Sequence, residues 1–306
     1  MPVPDPDRPA SPLAEHLAAE LARQSAQRLE PGLYLVATPI GNLGDISLRA
    51  LATLSRADLI CCEDTRHSRT LLDHYGIRRP LRAYHEHNAE AERPRILGAL
   101  AAGQIVALIS DAGTPLIADP GFKLVRAALE NGFPVVAIPG ASAVLTGLAV
   151  AGLPTNSFLF AGFLPPKETA RRARLAELAD TPATLIFFEG PSRLAASLTA
   201  IAEVFTGRDV AVARELTKHY EEIKRGTAEE LRAWAADADD IKGEIVILIG
   251  PPPPAPQITD SDISARLEPL LADMSLRDAA RAVADDLAVA KSRVYDIGLK
   301  LKGGGR

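Results

Sequence analysis

Four apolar runs, LYLVATP, ADLICCED, QIVALIS and FPVVAIP, recur between Leu33 and Pro139 and alternate with the helical stretches SLRALATL, RTLLDHY and FKLVRAALEN. Short runs that are apolar throughout suit strands buried on both faces, and stretches with apolar positions three or four apart suit crossover helices. The alternation therefore predicts βαβ units and a mainly parallel sheet over residues 31–150. After ASAVLTGL the texture shifts. SFLFAGF, ATLIFFEG, DVAVARELT, EEIKRGT and GEIVILIG follow with fewer helices between them, so residues 151–250 are expected to form a second α/β domain with a mixed, more antiparallel sheet. Residues 1–30 open on MPVPDPDRPASP and continue as an Ala-rich stretch, expected to be a mobile tail carrying one helix. Pro251-Pro-Pro-Pro-Ala-Pro256 reads as a stiff spacer, and residues 257–306, with SLRDAARAVADDLAVAKSRVYDIGLKL, as a small helical domain. No internal repeat is evident.

Composition narrows the function classes. The chain has 306 residues, 47% of them apolar and 24% charged, with a formal net charge of −5. That is too long for one ordinary core, since single cores stop growing near about 250–300 residues, and too acidic to coat nucleic acid by bulk electrostatics. A local basic patch stays compatible with it. No window reaches the roughly 18 apolar residues of a membrane span and the opening lacks a signal core, so a cytoplasmic protein is expected. Cys61 and Cys62 are adjacent, which suits neither a disulfide framework nor a CxxC metal site; they read as buried thiols.

Glycine and proline then mark four loops that follow strands: TPIGNLGD (Thr38 to Asp45), LISDAGTPLIADPG (Leu108 to Gly121), PGASA (Pro139 to Ala143) and FEGPSR (Phe188 to Arg193). A plain strand-to-helix connection takes only about 2–6 residues, so the second of them is far more elaborate than a turn requires. In α/β proteins such loops leave the carboxyl ends of strands, where ligands collect, and glycine lets the main chain approach a ligand while proline rigidifies the loop. The pattern implies a cradle that reads its ligand with backbone groups. GxxxxGK[ST] and GxGxxG are both absent, so neither a phosphate loop nor a dinucleotide fingerprint is present.

TPIGNLGD, ICCEDTR, SDAGTPLIADPG, PGASA, FFEGPSRL, ARELTKHYEE and KGEIVILIG, in this order from about Gly32 to Gly250, resemble the tetrapyrrole-methylase superfamily of S-adenosylmethionine-dependent methyltransferases. DAGTP and ARELTK resemble in particular the branch that 2′-O-methylates a cytidine ribose in the decoding region of 16S rRNA, and SLRDAARAVA with KSRVY resembles the small helical domain many of its members carry. The resemblance implies a two-domain class III methyltransferase fold, a homodimer, S-adenosylmethionine folded into the cleft between the domains, and 16S rRNA or the small ribosomal subunit as partner. By motif position it implies cofactor contacts at Pro39, at Ser110, Asp111 and Ala112, at Leu116 or Ile117, at Ser142 and Ala143, at Phe188 or Glu189, and at Leu216. Asp111 or Asp119 would favour the cationic end of the cofactor.

Several side chains carry two readings. An acid in the position of Asp64 serves as a base in related porphyrinogen methylases, and removing a ribose proton needs a carboxylate within reach. Asp64 is equally suited to cap a helix starting near Thr65, and Asp119 to cap the helix after Gly121. Arg214, Lys218 and Arg225, with Arg66, Arg69, Arg78 and Arg79, are candidate phosphate contacts, against the default of a solvated face. His85-Glu-His87 has no further ligands spaced nearby, and no metal is expected. Two rival functions stand beside rRNA methylation. One is a small-molecule porphyrinoid methylase, although its usual GPGD loop is replaced here by TPIGNLGD. The other is a noncatalytic RNA-binding or ribosome-assembly protein, although residues 257–306 hold as many acidic as basic residues.

Overall fold

The computed structural model describes residues 11–237, 241–253 and 258–303. The proline-rich opening up to residue 10 and the second half of the Pro251 to Pro256 spacer lie outside them. The chain divides into two compact units, Met1–Pro252 and Pro253–Arg306.

In the first unit the expected N-terminal helix is α1 (Pro12–Ala26), capped by Ser11 and laid against α2. The elements then run β1 (Gly32–Val36), α2 (Leu48–Leu54), β2 (Leu59–Cys62), α3 (Thr65–His74), β3 (Leu81–Ala83), α4 (Ala89–Ala101), β4 (Ile105–Leu108), α5 (Phe122–Glu130), β5 (Val135–Ile138) and α6 (Ala143–Ala151). Their five strands form one sheet in the order β3-β2-β4-β1-β5, and every pair is parallel. The apolar runs are continuous because both faces are covered. Tyr34, Val36, Ala107 and Ile109 point into one cluster, Leu33, Val106 and Leu108 into the other. Cys61 and Cys62 fall on opposite faces, both fully buried free thiols, and burial pushes Cys61 up to about 12. The three-residue β3 and the helix α4, which contains Pro94, escape the sequence pattern because neither has a clear apolar period.

A second sheet follows, built from β6 (Phe158–Phe163), α7 (Glu168–Glu177), β7 (Thr184–Glu189), α8 (Leu194–Val204), β8 (Asp209–Arg214), β9 (Glu222–Thr227), α9 (Ala228–Asp237) and β10 (Ile245–Ile249). Its order is β6-β7-β10-β8-β9; only β6 and β7 are parallel, and the other pairs are antiparallel. β10 occupies the centre, and all five of its residues are buried. Ile245, Ile247 and Ile249 face the helices of this lobe, while Val246 and Leu248 face the first lobe. There they meet Ile40, Val144, Leu148 and Ala151, so α6 packs on the inner face of the second sheet and joins the two lobes through one apolar cluster.

The second unit is three helices, α10 (Asp260–Asp273), α11 (Leu276–Leu287) and α12 (Lys291–Gly303), around Ile263, Leu267, Ala280, Val283, Val294 and Ile297. Thr259 and Asp262 form a capping box at α10, and Ser275 caps α11. A side chain at Gly298 would collide with Leu276 and Leu267, so glycine there sets the close approach of the helices.

Candidate active site between the two lobes

Because the first sheet is parallel, the loops after β1, β2, β4 and β5 all leave one edge. Their main chains are knotted together. Thr38 and Gly113 exchange backbone hydrogen bonds of 2.9 and 3.1 Å, the Thr38 hydroxyl donates to the Ser110 carbonyl at 3.1 Å, and the Thr114 hydroxyl donates to the Ala141 carbonyl at 3.2 Å. Gly113 sits at φ +82°, a left-handed conformation open to glycine, while Leu116 (φ 74°) and Ala118 (φ 65°) adopt the same region without that freedom. Strain of this kind persists only where the surroundings enforce it.

From the second lobe, β7 ends and β10 begins at the facing edge, with Phe188 paired to Val246 and Glu189 to Ile245. Between these two edges lies a cavity of about 380 Å³. That is within the range of about 300–1,000 Å³ typical of small-molecule sites. Of the residues singled out as cofactor contacts, Asp111, Ala112, Ile117, Ser142, Ala143, Phe188, Glu189 and Leu216 line it. Pro39, Ser110 and Leu116 do not. Pro39 is buried behind Ile40, which takes the lining position. Ser110 lies beneath the loop and donates its hydroxyl to the carbonyls of Ala112 and Gly113. Leu116 turns inward against the core of the first lobe, next to Gly121.

Asp119, singled out as a carboxylate for the cationic end of the cofactor, lines the cavity as well, and the structure adds Ile40, Thr114, Ala118, Phe163 and the Gly243 to Val246 segment, which the sequence motifs did not single out as contacts. Gly243 to Val246 enters only because β10 inserts between β7 and β8 and runs antiparallel to both. A side chain at Gly243 would collide with Glu215, which explains the glycine there.

The charged groups divide sharply by use. The Glu189 carboxylate is fully buried, holding Arg193 at 2.6 Å, the Ser197 hydroxyl at 2.5 Å and the Gly190 amide at 2.8 Å. It anchors the loop, leaving backbone toward the cavity. Asp64 caps α3: its Oδ1 accepts from the Arg66 amide at 2.8 Å, its Oδ2 pairs with the Arg66 guanidinium at 3.0 Å, and these bonds lower its pKa. It does not line the cavity, although its own amide donates to Asp111 Oδ1 at 3.1 Å. Glu63 and Asp119 behave oppositely. Burial raises Glu63, helped by the charge of Asp111. Burial pushes Asp119 up to about 6, with Glu63 and Asp111 adding to it and the Ser110 hydroxyl pulling the other way.

The candidate phosphate-binding cations are mostly engaged within the protein. Arg214 pairs with Glu222 at 3.1 Å and donates to the Lys242 carbonyl. Lys218 bridges Glu215 at 2.8 Å and Glu244 at 3.0 Å, with its stem pressed over Gly41 of the first lobe. Arg225 donates to the Val150 and Ala151 carbonyls and so caps the C-terminal end of α6. Arg66 is different: its side chain is 91% exposed beside Asp64, and Arg69 is exposed one turn further along α3. Among the described residues no group of three or more His, Cys, Asp or Glu side chains is arranged to hold a metal ion.

Residues 32–232 match the family described as Tetrapyrrole (Corrin/Porphyrin) Methylases, a span that covers most of both sheets. The chain belongs to the tetrapyrrole methylases. In this methylase, residues 257–302 also match the RsmI C-terminal HTH domain. Curated relatives include the ribosomal RNA small subunit methyltransferase I of Mesorhizobium japonicum, 54% identical over 278 residues that cover 90% of this chain and 94% of that one. The protein of the same name from Pseudomonas aeruginosa is 46% identical over 275 residues, covering 89% and 98%. Among solved structures, a cobalt precorrin-4 methyltransferase superposes with a TM-score of 0.55 at 19% identity, over 71% of this methylase and 94% of that chain. A uroporphyrin-III C-methyltransferase from Thermus thermophilus complexed with S-adenosyl homocysteine gives 0.51, also at 19% identity, over 71% and 96%. At that identity the likeness establishes the fold, which is the two-domain class III methyltransferase fold.

Proposed function

We propose that this methylase transfers a methyl group from S-adenosylmethionine to the ribose 2′-hydroxyl of a cytidine in the decoding region of 16S rRNA, in the cytoplasm and as a homodimer. The observation that carries the reading is the pairing of the tetrapyrrole-methylase segment with the RsmI C-terminal HTH segment in a chain that matches small-subunit rRNA methyltransferases over nearly its whole length. No helix among the described residues is long and apolar enough to cross a membrane. Phe122, Leu129, Leu145 and Phe163 are large apolar side chains left exposed on α5, α6 and β6, which supports self-association.

The cavity fits the methyl donor chemically. Ile40, Val144, Phe188, Leu216 and Val246 offer apolar surface, the loops at Asp111 to Gly113 and Ser142 to Ala143 offer main-chain groups, and Asp111 offers a carboxylate toward a cation. When bound, S-adenosylmethionine supplies an electrophilic methyl group on a sulfonium. The hydrogen-bonded loops preorganise main-chain groups at the cavity, and the apolar cluster joining the lobes lies beneath it. The RNA would meet the rim of the first lobe at Arg66 and Arg69, which stand exposed on α3, whereas Arg214 and Lys218 are largely buried in their ion pairs and Arg225 caps α6.

Incubating the protein with methyl-labelled S-adenosylmethionine and small ribosomal subunits, then mapping the label by nuclease digestion and mass spectrometry, tests the reading. Label on a cytidine ribose is the expected result. Label on a porphyrinoid but not on RNA would replace it with the small-molecule reading, and RNA binding without transfer would replace it with a noncatalytic one. Charge reversal of Arg66 and Arg69 together should weaken RNA binding and flatten its salt dependence, each lost contact reducing the log–log slope by about 0.7–0.9.

A further inference from the structure

Glu63, Asp64, Asp111 and Asp119 gather at the carboxyl ends of the neighbouring strands β2 and β4. Asp64 is committed to the cap of α3, and Asp111 accepts the Asp64 amide. Asp119 stands three positions before the first residue of α5, behind Pro120 and the N-cap Gly121, and α5 begins from that glycine at φ +135° with no side-chain cap at all. Local backbone therefore leaves its carboxylate unclaimed. The loop holds it firmly: Ala118 before it is in the left-handed region, and Gly121 after it is pressed against Leu108 and Leu116. Its side chain forms part of the cavity wall.

We propose that Asp119 is the catalytic base of the methyl transfer. The inference rests on the reading of this site as an O-methyltransferase. As the bond between the acceptor oxygen and the methyl carbon forms and the carbon–sulfur bond of the donor breaks, the hydroxyl proton passes to the Asp119 carboxylate. The sulfonium becomes a neutral thioether, and the proton leaves later to water. The charged groups facing Asp119 are Glu63 and Asp111, with His85 acting on Glu63. On the opposite wall Glu189 and Glu244 are already paired with Arg193 and Lys218. Burial beside two acids raises Asp119 to about 6, close to working pH while still ionised above it, as an effective base requires. Asp64, lowered by its bonds to Arg66, is the poorer proton acceptor.

The test uses the full-length protein with small-subunit rRNA, and the variants Asp119→Asn and Asp119→Glu. Asp119→Asn should lower turnover by about 10²–10⁴. Its affinity for S-adenosylmethionine, read by calorimetry, should stay within about threefold, and Asp119→Glu should recover at least about tenfold of the lost rate. In the wild type the acid limb of the kcat profile should have a midpoint near 6. Carbon-13 NMR of the ligand-free protein should show a carboxyl titrating there that is absent from Asp119→Asn. Wild-type turnover in Asp119→Asn, or a rate loss matched by lost donor affinity, would overturn the assignment. So would the absence of that titrating carboxyl, which is measured without substrate. Failure of the wild type to methylate rRNA would instead count against the proposed function, and the titration would still decide whether Asp119 has a base's properties.

Discussion

The connection from β2 to α3 is only Glu63 and Asp64, whereas the connection from β4 to α5 runs from Ile109 to Gly121. Both leave the same edge of the same parallel sheet, both carry acids, and both lead into a helix. In the short connection Asp64 has little choice: it is the residue before the first helical turn, and its carboxylate takes the amide of Arg66. In the long connection Pro120 and Gly121 separate Asp119 from the helix, and α5 starts without a side-chain cap. A carboxylate becomes available for chemistry when the nearby backbone does not need it. The long loop achieves this by adding residues, among them Gly113, Leu116 and Ala118 in left-handed conformations.

Substitutions at matched positions of the two loops would break or sharpen this comparison. The largest contrast expected is in turnover, with Asp119→Asn losing about 10²–10⁴ and Asp64→Asn about tenfold or less, measured side by side on rRNA. Next is Gly121→Ala. A Cβ there would lie 3.0 Å from Leu108 Cδ2 and 3.2 Å from Leu116 Cδ1 at a φ of +135°, so the fold should lose about 2–3 kcal/mol in denaturant unfolding.

Third is the stability of Asp119→Asn, which should rise. The folded carboxyl is raised to about 6 from 3.8, so folding takes up a proton between these values and wild-type stability falls as pH rises through that window. Above it the ionised group opposes folding, by about 1–2 kcal/mol once solvent screening of this half-exposed side chain is allowed for. Urea unfolding should show the variant more stable above pH 6, with the advantage gone below about pH 4. The smallest effects belong to the cap. Asp64→Ala should cost about 1 kcal/mol and Asp64→Asn only a few tenths in the same measurement, because Asn caps nearly as well.

What the sequence by itself determined was the inventory of parts. The unbroken apolar runs around Tyr34, Ala107 and Ile247 specify strands buried on both faces, and the glycine and proline clusters after them specify loops of unusual backbone, because both signals are local. Asp111, Ser142 and Phe188 stand on the cavity wall for that reason, the first two in loops that leave β4 and β5 and the third near the end of β7. Tertiary structure decided which parts meet and which charged groups are left free. Arg225 looked like a surface cation until the sheet brought it to the end of α6, where it donates to Ala151, 74 positions away. Gly243 to Val246 joined the site because β10 inserts between β7 and β8. Asp64 and Asp119 are both acids in a loop that leads into a helix, but Asp64 is the N-cap itself, whereas Asp119 stands behind Pro120 and the N-cap Gly121, and where that leaves its carboxylate is set by the folded backbone. That depends on dihedral angles and packing partners distributed over the whole lobe, which no window of neighbouring residues contains.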